Sequence, residues 1–308
     1  MDAGRLVIVI VGLLGYVLLG LLLRVTGVLK AEDAKPLNTL LIYVALPALI
    51  FTTVQRAELE WSLATLPALA WFIVFVGLAI AWGLTRALKL SGPQAGAFML
   101  AAVFGNTAYM GYPVAVALLG DAGLVRAVFY DIFGNTAAVI TVGTLIATRL
   151  GEHGAEVNPL REVVTFPPFI ALAAALALHS VTVPAVVGNW LEALGTLVVP
   201  MIMVSVGLSL RPAALRDHLP KVAAISVVKL VVLPLVALTI GWFVLPDVES
   251  VRIAVLEAGV PTMMFTMLMG MRFRLDTDVI AAAILVTLVG SAVTIPLFQL
   301  LISWMRVA

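Results

Sequence analysis

The chain has 308 residues, of which 63% are hydrophobic and only 11% charged. A water-soluble protein of this size could not cover so much apolar side chain, so lipid must be the solvent for most of its surface. The formal net charge of +1 gives no support to nucleic-acid binding, and the lack of cysteine excludes disulfides, thiolate metal sites and thiol nucleophiles.

The first apolar run, Leu6–Leu23, is long enough to span and is followed by Arg24 without a small-residue cleavage pattern, so it reads as a retained helix. Next come Leu37–Val54, Leu63–Leu88, Pro93–Leu119 and Ala122–Thr148. Beyond a more polar connection at 150–162 lie Val163–Thr182, Pro184–Leu210, Leu219–Leu245, Val248–Met271 and Val279–Met305. Each reaches or nears the roughly 20 residues that a bilayer core requires. The expected fold is an all-α membrane protein of ten transmembrane helices.

Basic residues in short loops set the orientation of such a bundle. One face collects twelve: Arg24, Lys30, Lys35, Arg86, Lys89, Arg149, Arg161, Arg211, Arg216, Lys221, Arg272 and Arg274. The other collects five: Arg5, Arg56, Arg126, Arg252 and Arg306. The bias places both termini on the extracytoplasmic side of the cell's inner (plasma) membrane and the 150–162 connection in the cytoplasm.

Prolines reveal an internal repeat. Pro47 and Pro200 are separated by 153 residues, as are Pro67 and Pro220, and the same offset sets Asn106–Ala108 against Gly259–Pro261. The chain divides into residues 1–150 and 151–308, five spans each. An odd number of spans per half makes the halves inverted relative to one another across the membrane.

The matched positions are where two spans are interrupted. Phe104-Gly105-Asn106-Thr107-Ala108-Tyr109-Met110-Gly111-Tyr112-Pro113 breaks the fourth span, and Glu257-Ala258-Gly259-Val260-Pro261-Thr262 breaks the ninth. A break at membrane depth survives only where it faces protein or a wet cavity, and paired breaks in two halves point to a transporter's substrate site. Broken helices expose N-termini whose free N–H groups and positive dipole ends favour an anion, above all a carboxylate. Asn106, Thr107 and Tyr109 add donors and acceptors; Pro113, Gly259, Val260, Pro261 and Thr262 shape the breaks. The plainer alternative is a pair of proline kinks whose side chains satisfy their own backbone.

Two charges lie inside spans, Lys229 in the eighth and Glu257 beside the second break. Each needs a partner or a wet cavity, because an uncompensated charge there costs roughly 3 kcal/mol. They either neutralise each other as a structural pair or share a cavity with the substrate anion. Asp131 and Asn135, one turn apart in the fifth span with Thr136 beside them, could line the same place, although Arg126 is near enough in sequence to hold Asp131 at the surface. Glu192 is expected to face headgroups, His179 the interface, and most tryptophans the span ends.

Gly-Asn-Thr-x-x-x-Gly-x-Pro in the fourth span, Leu-Pro in the second and Lys229-Leu-x-x-x-Pro234 in the eighth resemble the auxin efflux carrier family, and the resemblance covers essentially the whole chain. It implies an inverted repeat of five plus five helices. The first, second, sixth and seventh spans would form a scaffold that dimerises. The third to fifth and eighth to tenth would form a transport domain in which the fourth and ninth helices cross, with Asn106 as the polar residue at the crossing. The substrate would be a small organic anion, moved by an elevator-like shift. The short 150–162 connection replaces the long loop of the plant carriers, so a bacterial carrier of malonate- or malate-like acids fits better than an auxin carrier. Glu257-Ala258-Gly259-Val260 also resembles the bile acid sodium symporters, where the glutamate binds sodium; Pro261 stands where that group has a glutamine. No cofactor is expected, and Glu257, with Asp131 and Asn135, would couple transport to a proton or to Na⁺.

An intramembrane enzyme is disfavoured, because no metal-ligand spacing and no base beside the membrane serines is present. A receptor on the same scaffold would have no need of two matched breaks.

Overall fold

A computed structural model of the protein describes residues 3–57, 59–152, 161, 164–179, 181–209 and 218–305. The helices are α1 (Ala3–Val25), α2 (Ala31–Gln55), α3 (Trp61–Ala87), α4 (Gly92–Val103), α5 (107–119) and α6 (121–150). After them come α7 (Pro167–Ala177), α8 (Ala185–Ser209), α9 (Leu219–Val244), α10 (Val248–Gly259), α11 (Phe265–Phe273) and α12 (Thr277–Met305). There is no β-strand among the described residues, and six helical stretches are long and apolar enough to cross a membrane. One of the six, Thr107–Leu150, covers both α5 and α6. These two part at Gly120, whose φ of 62° and ψ of −148° a side chain would resist, between the predicted ends Leu119 and Ala122.

The predicted sixth span is shorter than expected. Among the described residues of Val163–Thr182 the continuous helix is Pro167–Ala177, starting on two prolines that lack the N–H groups a first turn leaves unused anyway. Val163, most of the 150–162 connection, Arg211, Arg216 and Arg306 lie outside the described residues.

Proline explains much of the local irregularity. Three π-helical turns, Leu41–Ala45, Thr107–Gly111 and Val228–Val232, each end two residues before a proline: Pro47, Pro113 and Pro234. Proline cannot donate to the carbonyl a turn earlier and its ring crowds it, so the preceding turn widens. Two further π-helical turns, Asp131–Thr136 and Val139–Gly143, carry no proline and lie in α6.

The helices pack in two sets. α1 lies along α8, and α2 against α7 and α8; separately, α3 packs on α4 and α6, α9 on α10, and α12 on α4 and α9. With lipid as solvent, close contact rather than water exclusion drives such packing. Gly20 of α1 and Gly207 of α8 show it: a Cβ on Gly20 would overlap the Val204 carbonyl, and one on Gly207 would overlap that of Val17. Most tryptophans reach outward as expected, Trp61, Trp190 and Trp304 being among the most exposed apolar residues. Trp71 is an exception, half-buried with its indole N–H donating to the Phe133 carbonyl at 2.9 Å.

Because the α1–α8 contact is backbone to backbone, Gly207→Leu should force the helices apart. A loss of about 1–3 kcal/mol, typical of overpacking, is expected, read as a lower unfolding midpoint in detergent, whereas Gly12→Leu, which meets no neighbour, should leave the midpoint unchanged.

Candidate functional site: the helix crossing

α4 ends at Val103 and the chain runs non-helical through residues 104–106; α10 ends at Gly259 and is non-helical from Val260 to Met264. The two breaks lie against each other. Gly105 and Thr262 form an isolated antiparallel bridge. The Asn106 N–H donates to the Pro261 carbonyl at 2.8 Å, and the Met263 N–H to the Phe104 carbonyl at 2.9 Å. Groups that each helix lost by breaking are thus satisfied by the other, as burial away from water demands. α12 and α4 brace the second break: the Thr262 N–H donates to Thr287 Oγ1 at 3.0 Å, and the Thr262 hydroxyl to the Ala101 carbonyl at 2.8 Å.

α6 braces the first break. Asn135 accepts from the Gly105 N–H at 3.2 Å and donates to the Gly105 carbonyl at 2.9 Å and to Thr107 Oγ1 at 3.0 Å. The Thr107 hydroxyl donates in turn to Asp131 Oδ1 at 2.6 Å. Asp131 also accepts from the hydroxyls of Thr136 (2.7 Å) and Tyr112 (2.8 Å). Three hydroxyl donors therefore surround one buried carboxyl. Arg126 is not its partner: that guanidinium forms ion pairs with Asp247 (3.6 Å) and Glu249 (3.4 Å) and donates to Ser250 Oγ, because Asp131 faces the bundle interior.

Lys229 and Glu257 are both 1% exposed, yet they form no ion pair. The Lys229 ammonium donates to the Ala258 carbonyl at 2.8 Å and, at a longer 3.5 Å, to that of Val103. Neither oxygen of Glu257 has a hydrogen-bond partner among the described residues. Its carboxylate lies against the backbone of Gly111, where a Cβ would overlap it. Asp131, Lys229, Tyr112 and Tyr130 are the charged and phenolic groups around it.

Of the residues singled out in the sequence, Asn106, Thr107, Asp131, Asn135, Lys229, Glu257, Gly259, Val260, Pro261 and Thr262 all come together at the crossing or directly behind it. Asn106 is 6% exposed, and its carboxamide makes no capping hydrogen bond to α5, which it precedes. Half-buried Tyr109 and Met264 each pack against the same buried apolar cluster. Pro113 and Tyr112 help line a cavity of about 940 Å³ between α2 and α8 on one side and α5, the start of α6 and the start of α10 on the other. Its mouth carries Arg56 and Arg126 against Glu60, Asp121, Glu192 and Glu249, so charge at the entrance does not favour an anion. Glu192 pairs with Arg56 at this mouth rather than facing headgroups, since α8 turns it toward α2. Thr287 and the Tyr112 hydroxyl were missed in the sequence. A lone threonine in an apolar span and a tyrosine inside a break motif carry no signal of what they will meet.

Among the described residues no group of three or more His, Asp or Glu side chains is placed to hold a metal ion. Asp131 instead organises the first break. Asp131→Asn turns one acceptor into a donor that faces hydroxyl donors and should cost about 1–3 kcal/mol; Tyr112→Phe removes one bond only and should cost about 1 kcal/mol. Thermal unfolding of the two variants checks this order.

The sequence profile of the family described as "Membrane transport protein" matches residues 6–299. A protein of Methanothermobacter thermautotrophicus named "Uncharacterized transporter" is 31% identical over 296 residues, covering 95% of this chain and 97% of its own. "Uncharacterized transporter MJ1031" of Methanocaldococcus jannaschii is 32% identical, covering 92% of this chain and 94% of its own. A Rhizobium meliloti protein named "Putative malonate transporter" is 26% identical, covering 84% of each chain. Family and relatives are membrane transporters, not enzymes, and the likeness to the auxin efflux carriers is borne out. The chain belongs to the Membrane transport protein family and is a multi-pass membrane protein.

Proposed function

We propose that the protein is a secondary carrier of small organic anions, mono- or dicarboxylates of the malonate or malate type, bound where the two broken helices cross. The observation that carries this reading is the Asn106 carboxamide, which sits at the crossing, 6% exposed, and makes no capping hydrogen bond to the helix it begins. Beside it α5 begins, so first-turn amides with a positive dipole end are on hand for a carboxylate, whereas the Thr266 and Met267 amides of α11 are spent on the Met263 and Met264 carbonyls. The cavity lined by Tyr112 and Pro113, a few residues from Asn106 in the chain, would supply a route toward the crossing. The name of the Rhizobium meliloti relative points to the same class of acid.

In this reading the chain is an inverted repeat of five plus five spans, residues 1–150 and 151–308, with both termini extracytoplasmic. The set α1, α2, α7 and α8 is a scaffold that pairs with a second copy in the inner membrane. The remaining helices form a transport domain that slides against it, elevator-fashion. The cavity runs along the seam between the two sets, which is where such a movement would open and close access. Glu257, buried without a partner, takes up the coupling ion.

The direct test is unfolding temperature against mono- and dicarboxylates, followed by counterflow of the stabilising acid in liposomes. A ligand held at 100 times its Kd should add about 2.7 kcal/mol. Asn106→Ala should weaken binding roughly tenfold, the worth of a hydrogen bond to a charged group, at unchanged stability; unchanged affinity would refute the placement of the anion. Glu257→Gln should retain acid binding while the dependence of uptake on an ion gradient disappears. Uptake by that variant that still follows the gradient would assign coupling to another group.

A further inference from the structure

Lys229 is not placed to greet an incoming anion. It sits behind the crossing, absent from the cavity wall, with its ammonium on two backbone carbonyls. Val103 is the last residue of α4, and Ala258 the last but one of α10. Both half-helices therefore aim their carbonyl-bearing, negative ends at one point. Such ends are hard oxygen donors of the kind that coordinate alkali cations in broken-helix carriers. We propose that the Lys229 ammonium is a built-in monovalent cation, filling the place where these two helix ends would otherwise draw a metal ion, so that the crossing holds together without Na⁺.

Three features support this. Lys229 is 1% exposed, and a Cβ on Gly105 would lie 2.8 Å from Nζ, so the backbone of the first break approaches the ammonium closely. Glu257 makes no contact ion pair with it, so the carbonyls at the two helix ends are the groups that touch the ammonium, with the Glu257 charge acting from farther off. Lys229 also rides on the π-helical turn Val228–Val232 widened ahead of Pro234, a ring that itself packs against Gly259 at the end of α10. The same proline that deforms α9 thus lodges beside the helix end that the lysine caps. A tethered cation cannot dissociate during a cycle, which makes Lys229 a positioning residue that fixes the two breaks relative to each other.

The test compares thermal unfolding of purified Glu257→Gln and Lys229→Ala in chloride salts of Na⁺, K⁺ or N-methylglucamine at matched ionic strength. Glu257→Gln, which keeps Lys229 and removes the carboxylate assigned to the coupling ion, should unfold at the same temperature in all three. Lys229→Ala should be destabilised in N-methylglucamine and recover about 3 °C in Na⁺ or K⁺, as mass action on an emptied cation site predicts. Stabilisation of Glu257→Gln by Na⁺, or a folded Lys229→Ala indifferent to all three salts, would overturn the proposal. Should that variant not fold, Lys229→Gln, which keeps a donor without a charge, carries the same comparison, and Lys229→Arg should stay indifferent to the salt. None of these readouts needs a substrate, so a failure to find a bound acid would count against the carrier reading and not against this one.

Discussion

Everything at the centre of this protein depends on backbone groups that two broken helices cannot satisfy by themselves. In lipid or in a dry protein interior an unpaired N–H or carbonyl has no water to turn to. The molecule answers by setting one break against the other, so that Phe104 to Asn106 and Pro261 to Met263 form a minimal antiparallel pair. Neither break is tenable without its partner. Two segments about 155 residues apart are locked into one object, and the helices before and after them must converge there.

Around this pair the polar groups divide into those that are spent and those that are not. Asn135, Thr107, Thr136, Tyr112 and Asp131 form a closed set of donors and acceptors that holds the first break. Thr262 and Thr287 do the same for the second. The unspent groups are both oxygens of Glu257 and, at the edge of the crossing, the Asn106 carboxamide, which caps nothing. A fully satisfied network is rigid and specifies one arrangement, whereas unsatisfied groups beside it are where a ligand or ion gains most by arriving. That contrast separates structural polar residues from candidate functional ones better than polarity alone does.

The charge arrangement follows the same logic. A lone ammonium buried among apolar helices would be strongly disfavoured, but two carbonyl-bearing helix ends supply the compensation for Lys229. The surface charges behave differently: Arg56 with Glu192, and Arg126 with Asp247 and Glu249, form ion pairs at the cavity mouth, where water screens them.

The sequence by itself determined the solvent, the helical character and the two places where helices break, because hydrophobic run length and the chemistry of proline and glycine act locally. It also picked out Asp131, Asn135, Lys229 and Glu257, since polar groups at membrane depth are too costly to be incidental. It did not determine who meets whom. Whether Lys229 pairs with Glu257 or caps carbonyls, whether Asp131 turns to Arg126 or to Thr107, and whether Glu192 faces lipid or Arg56 depend on helix rotation and on contacts between residues far apart in the chain. Those choices are made by packing, where backbone geometry at the crossing and close approach at Gly20, Gly111 and Gly207 fix which face each helix presents, and only the tertiary structure decides them.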